Sequence, residues 1–271
     1  MLKQRIITAL WLIPLALLGF FALEGRAFLA FISVIVALAG WEWARLAGFE
    51  GQKQRIGYAW TVVAGLLLLN ISTAWVLPAL YLAGIWWLLA IAMVVTFPNS
   101  IAFWGGRLGK LVMGLIIIVP AGLGLQVLKA LPQGNMLILS LMLLVWGADI
   151  GAYFFGRAFG KKKLAPRVSP GKSWAGLFGG LFCSLCIAAG LLWYFQVPLV
   201  QFIPVLLGAA LVVLFSVVGD LTESMFKRQV GIKDSSQLLP GHGGVLDRID
   251  SLTAAAPVFA LLLLLSGWVL P

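Results

Sequence analysis

The chain has 271 residues, 19 of them Lys or Arg and 9 Asp or Glu, so about one in ten is charged against roughly a quarter in a soluble domain. Hydrophobic residues make up 62% and the mean hydropathy is +1.06, which leaves too little polar surface for a water-soluble fold and excludes a disordered chain. The net charge of +10 therefore belongs beside membrane spans, not on a nucleic-acid docking face.

A helix needs about 20 mostly apolar residues to cross the hydrocarbon layer. Nine stretches qualify: 6–23, 27–45, 58–76, 78–97, 111–128, 136–155, 174–195, 199–218 and 252–270, the third and fourth parted only at Leu77 and Pro78, where Leu77 lies between them and Pro78 opens the fourth. The first follows Lys3 and Arg5, as a signal peptide would, but it is long, lacks a small-residue cleavage site and reads as a retained helix. The fold class expected is an all-α polytopic integral membrane protein of about nine transmembrane helices. Cys183 and Cys186 lie in an apolar run and lack the partners of a zinc site, so they read as small helix residues.

With this count, seventeen basic residues fall on one side and only Arg26 and Lys129 on the other. The positive-inside rule then puts the N-terminus in the cytoplasm and the C-terminal Pro271 opposite. The expected location is the cytoplasmic (inner) membrane, with the site at its cytoplasmic face. About five spans occupy residues 1–135 and about four occupy residues 136–271. The second part carries two cytoplasmic loops, 156–173 and 219–251, where any chemistry must sit.

Polar residues concentrate in those loops. Five of the nine acids fall between Asp220 and Asp250, together with His242, the only histidine. Asp220, Glu223, Ser224, Lys227 and Arg228 recur at helical spacing on one face. Asp250 before Ser251 reads as a helix N-cap, whereas Asp247 has no such role. Asp220 and Asp247 stand at the ends of two apolar helices, and two hard carboxylates brought together recruit Mg²⁺. Between them Gly241-His242-Gly243-Gly244 is a turn whose N–H groups suit an anion, flanked by Lys227, Arg228, Lys233 and Arg248.

In the other loop Lys161, Lys162 and Lys163 read as orientation and lipid-surface charges. Ser169-Pro170-Gly171-Lys172-Ser173 offers hydroxyls and an ammonium on a rigid turn before a helix, where anions bind. Asp149 is an ionisable residue within a span and a functional candidate on that ground. Glu42, between Trp41 and Trp43, reads as snorkelling or paired with Arg45.

The run Ser224 to Asp250, S-M-F-K-R-Q-V-G-I-K-D-S-S-Q-L-L-P-G-H-G-G-V-L-D-R-I-D, resembles the signature of phosphatidate cytidylyltransferases, the CDP-diacylglycerol synthases. Gly219 to Ser224, Asp149 to Tyr153 and Ser169-Pro-x-Lys172 also resemble family patterns, with Ser173 where a Thr is expected. The resemblance implies cytidylyl transfer from CTP to phosphatidate in phospholipid biosynthesis, giving CDP-diacylglycerol and pyrophosphate. It casts Asp220 and Asp247, supported by Asp250, as the holders of Mg²⁺, with a second cation such as K⁺ compatible. Lys172, Lys227, Arg228, Lys233 and Arg248 become phosphate contacts, and Asp149, Ser169, Ser173, Ser224, His242, Gly243 and Gly244 substrate contacts. Membrane lipids are expected partners, nucleic acid is not, and a homodimer is left open. Two other readings compete. A CTP-dependent polyprenol kinase would need a base for a neutral hydroxyl, and a transporter would show paired halves and midplane charges.

Overall fold

The computed structural model describes residues 2–267. Pro271 and the side chains of Lys3 and Arg5, all used in the orientation argument, lie outside the described residues. Ten helices follow one another: α1 (Leu2–Leu17, continued by a π turn Leu18–Ala22), α2 (Gly25–Leu46), α3 (Gln52–Leu69), α4 (Val76–Thr96), α5 (Ile101–Trp104), α6 (Arg107–Ala130), α7 (Gly134–Phe159), α8 (Trp174–Tyr194), α9 (Leu199–Gln229) and α10 (Leu246–Ser266). Between α7 and α8, where an all-α fold predicts only loop, lies an antiparallel ribbon, β1 (Lys163–Ala165) with β2 (Ser169–Ser173).

Each of the nine expected apolar stretches coincides with a helix. Among the described residues, seven are long and apolar enough to cross a membrane: Gly25–Leu46, Thr73–Thr96, Arg107–Ala130, Gly134–Phe159, Trp174–Tyr194, Leu199–Gln229 and Leu246–Ser266. The first stretch is shorter, and α3, which opens on Gln52, Lys53, Gln54 and Arg55, is too polar to count. The break expected at Leu77 and Pro78 falls earlier. The α3 helix ends before Asn70, Ser72 caps a short turn at Ala74 N–H, and Pro78 sits in the first turn of α4, where its missing N–H costs nothing.

Helix α10 is the centre of the bundle, packed against α2, α4, α6, α7 and α9. One core runs from Phe20 to Leu263, so residues on either side of position 135 share it. Small residues let the helices approach, as in membrane bundles generally. A Cβ on Gly151 of α7 would meet the Cys183 sulfur of α8 at 2.8 Å, which explains the cysteine as a small packing residue. At Gly219 a Cβ would lie 2.5 Å from the Asp250 carbonyl oxygen. That crossing of α9 on α10 brings the carboxylates at 220 and 250 into electrostatic range.

The bundle has two ends. At one, the Trp43 indole donates to Lys110 O at 2.7 Å and the Tyr58 hydroxyl to Leu111 O at 2.6 Å. The hairpin and the 230–245 loop cover this end. At the other, Lys129 donates to Phe20 O at 2.8 Å and to the Asn135 side chain.

Candidate active site

The two loops singled out by their charge meet at the first end of the bundle. Lys172, on β2, places its Nζ 2.7 Å from Asp220 Oδ2 on α9, and the Ser224 hydroxyl donates to Asp220 Oδ1 at 3.2 Å. One turn on, Lys227 Nζ lies 2.8 Å from Asp247 Oδ1 on α10 and 3.0 Å from Glu223 Oε1. Arg228 donates through Nε to Val168 O at 3.1 Å and fastens the hairpin to α9. A cavity of about 240 Å³ lies here, lined by Ser224, Lys227, Arg228, Lys233, Asp234, Asp247, Arg248 and Asp250. All eight are polar, and seven belong to the residues picked out by sequence. The larger apolar cavities elsewhere carry no such charge cluster.

Several expected roles change. Asp250 is not an N-cap: α10 starts at Leu246, and Asp250 stands in its second turn, accepting from Ser251 N–H at 2.7 Å. Asp247 does have partners. Besides Lys227 it accepts from Ser235 N–H at 2.9 and 3.1 Å, the Ser235 hydroxyl at 2.9 Å and Gly244 N–H at 2.7 Å. The glycine turn is wrapped around the chain's own carboxylates. Gly243 has φ +83° and its would-be Cβ lies 2.6 Å from Asp247 Oδ2, so a side chain there is excluded twice over. Ser173 N-caps α8 by accepting from Gly176 N–H at 3.1 Å, which commits the hydroxyl to the helix start.

Ser169 is half-buried at the start of β2, and Lys233 and Arg248 are exposed rims of the cavity. His242 is half-buried and lies outside the cavity lining, and its buried Nδ1 has no hydrogen-bond partner among the described residues. Asp149, exposed on α7, is in electrostatic range of Asp220 and Lys172.

Glu42 is the residue that sequence reading missed. It neither snorkels nor pairs with Arg45; it is 0% exposed. Its Oε1 accepts from the Ser236 hydroxyl at 2.5 Å and Val245 N–H at 3.0 Å, and its Oε2 from Leu246 N–H at 2.6 Å. The Ser235 hydroxyl lies 3.2 Å from Oε2 and 2.9 Å from Asp247 Oδ2, sharing one proton between two carboxylates. A carboxylate from α2 thus holds the first N–H groups of α10, where the helix dipole favours negative charge. Arg45 instead donates to Ser235 O at 3.1 Å, and the Thr8 hydroxyl of α1 to Pro240 O at 2.9 Å. The one local clue was a Glu, flanked by tryptophans, near the end of an apolar helix. Glu223, 4% exposed, is a second buried acid: Lys227 lies beside Oε1, and neither oxygen makes a well-formed hydrogen bond.

Mg²⁺ takes one or two protein carboxylates and fills its shell with water and phosphate oxygens. Asp220 and Asp250, set in electrostatic range across the α9–α10 crossing, suit that partial role. Asp247, saturated by five donor contacts, could join only by releasing Lys227. Among the described residues no three His, Cys, Asp or Glu side chains converge as a self-sufficient metal cage.

The match of the cytidylyltransferase family model spans residues 3–266. The chain belongs to the cytidylyltransferase family. It is 60% identical over 271 residues to the phosphatidate cytidylyltransferase of Pseudomonas aeruginosa, covering 100% of both chains. It is 40% identical to the Haemophilus influenzae enzyme of that name, covering 96% of this chain and 98% of that one. The Brucella suis enzyme of the same name is 39% identical, with 96% and 92% covered. In this member of the family the charged cavity and the signature residues coincide.

Proposed function

We infer that the protein transfers the cytidylyl group of CTP to phosphatidate, releasing pyrophosphate and leaving CDP-diacylglycerol in the membrane. The observation that carries the reading is the cavity: all eight of its lining residues lie in the signature run Ser224 to Asp250, in a family whose full-length relatives bear this activity's name.

The chemistry asks little of a base. Phosphatidate presents an anionic phosphate oxygen that attacks the α-phosphorus of CTP; the bond from that phosphorus to the bridging oxygen breaks, and pyrophosphate departs. Positioning and charge neutralisation dominate such transfers. Lys172, Lys227, Arg228, Lys233 and Arg248 gather the phosphates, while Asp247 orients Lys227 and the loop and Ser224 steadies Asp220 beside Lys172. His242, on the turn beside the cavity, is cast as a pyrophosphate contact. Asp220 and Asp250 would hold Mg²⁺, with Asp247 near them, and a second cation such as K⁺ is compatible with the acidic surplus. When bound, the cation supplies charge neutralisation to the triphosphate.

The site end is placed at the cytoplasmic face of the inner membrane, with α1 and α3 as the eighth and ninth spans. This rests on the basic residues gathered at that end. The test is CTP labelled in the α-phosphate, incubated with purified protein, phosphatidate and Mg²⁺. Label entering the lipid supports cytidylyl transfer, whereas label entering only from the γ-phosphate would indicate a lipid kinase.

A further inference from the structure

A second cavity, of about 550 Å³, opens between the end of α4, the start of α8, the second half of α9 and the hairpin. Its wall is apolar, built from residues such as Val95, Leu177, Leu214 and Val218, with Arg167 of the hairpin as the one charged member. Val95 is 78% and Trp174 39% exposed, so the cavity is open sideways, on a face where α4, α8 and α9 are apolar enough to lie in lipid.

This groove and the charged cavity have no lining residue in common but are joined through bonded neighbours. Leu221 lines the groove, and its neighbour Asp220 pairs with Lys172. Val168 lines the groove, and its carbonyl oxygen accepts from Arg228 of the charged cavity. A molecule with a phosphate at the cluster and an apolar tail would therefore find the tail's slot directly alongside.

We propose that this groove receives one acyl chain of the phosphatidate, with Arg167 at its headgroup end contacting the lipid phosphate. The proposal rests on the activity inferred above and adds where the lipid lies. Charge complementarity and continuity with the site select this occupant: a neutral lipid would leave Arg167 unmatched. Lipid tails are already in an apolar solvent, so the groove acts by shape and orientation, not by hydrophobic transfer.

Leu214 lies six residues before Asp220, about 9 Å along the helix. A bulky residue there should block a long chain and spare a short one. The experiment compares dihexanoyl and dipalmitoyl phosphatidate in mixed micelles, with CTP and Mg²⁺, on full-length wild type, Leu214→Trp and Leu177→Trp. The expected result is at least a tenfold loss of kcat/KM for the long lipid, about twofold or less for the short one, and an unchanged KM for CTP. Arg167→Gln should raise the KM for both lipids about tenfold; a rise in the KM for CTP instead would overturn the headgroup assignment. Equal losses on both lipids in a variant with wild-type thermal stability, or no loss on either, would overturn the groove.

A photoreactive group at the chain end of phosphatidate gives a reading on unmodified protein. Crosslinks to residues 91–95, 174–177 or 214–221 support the proposal, and crosslinks confined to other segments refute it. Should wild type transfer no label to any phosphatidate, the inferred activity fails, and the crosslinks still report on the groove separately.

Discussion

At Glu42 a carboxylate lies fully out of water and is held by two serine hydroxyls and two backbone N–H groups. Bonds to a charged acceptor are worth about 1.5–3 kcal/mol each, and orphaned donors cost more. Glu42→Gln should therefore lower stability by about 2–4 kcal/mol and reduce turnover, because an amide NH₂ would face Val245 or Leu246 N–H. The two serines separate structure from chemistry. Ser235→Ala should depress kcat more than Ser236→Ala, since Ser235 also reaches Asp247 and Ser236 does not. Thermal unfolding beside steady-state rates checks both; equal kcat losses from the two serine variants would contradict the link through Ser235. The carboxylates make a second contrast. Asp220→Asn and Asp250→Asn should shift the Mg²⁺ dependence to higher concentration, whereas Asp247→Asn should lose turnover at every concentration, because it frees Lys227 and loosens the 235 loop. A Mg²⁺ titration of the three variants decides. Recovery of Asp247→Asn at saturating Mg²⁺ would move that residue from organiser to metal ligand.

Among the elements, the hairpin does most to assemble the site. Its two strands turn the 156–173 loop into a rigid arm that lays Lys172 against Asp220, and Arg228 locks the arm at Val168. Lys161, Lys162 and Lys163 are exposed, while Lys172 is half-buried. Lys172→Ala should cut turnover strongly, on the order of a hundredfold for loss of a phosphate contact, and the joint change of the three lysines to Gln should leave specific activity nearly intact while weakening association with anionic lipid. Rates of correctly inserted protein, with vesicle binding measured alongside, test the division. The run S-P-G-K-S suggested a turn and a helix start; Ser173 does cap α8, but strand pairing depends on the register of Lys163 with Ser173, which no local signal in a basic loop announces.

For the whole molecule, the basic residues gather at the site end and leave Arg26 and Lys129 beside a polar cavity at the other. If the site faces the cytoplasm, an impermeant thiol reagent on intact cells should label a cysteine at Pro132 and spare one at Lys162, in a background without Cys183 and Cys186. Labelling at 162 alone would invert the orientation.

Composition alone determined that this is a membrane bundle, since a chain with so few charges has no other way to satisfy its surface. Apolar run lengths located each long helix, because hydrocarbon thickness dictates them, but not its polar end: α9 runs eleven residues past the expected 218 and α10 begins six before the expected 252. The polar motif named the cavity's residues, because in so apolar a chain a charge persists only where it is used. What tertiary structure decided is the pairing. Lys172 with Asp220, and Lys227 with Asp247, depend on which helices cross at Gly219 and where the hairpin folds back. Glu42 reaches Ser235, Ser236 and the start of α10 across most of the chain, and contacts so distant in sequence leave no spacing to read.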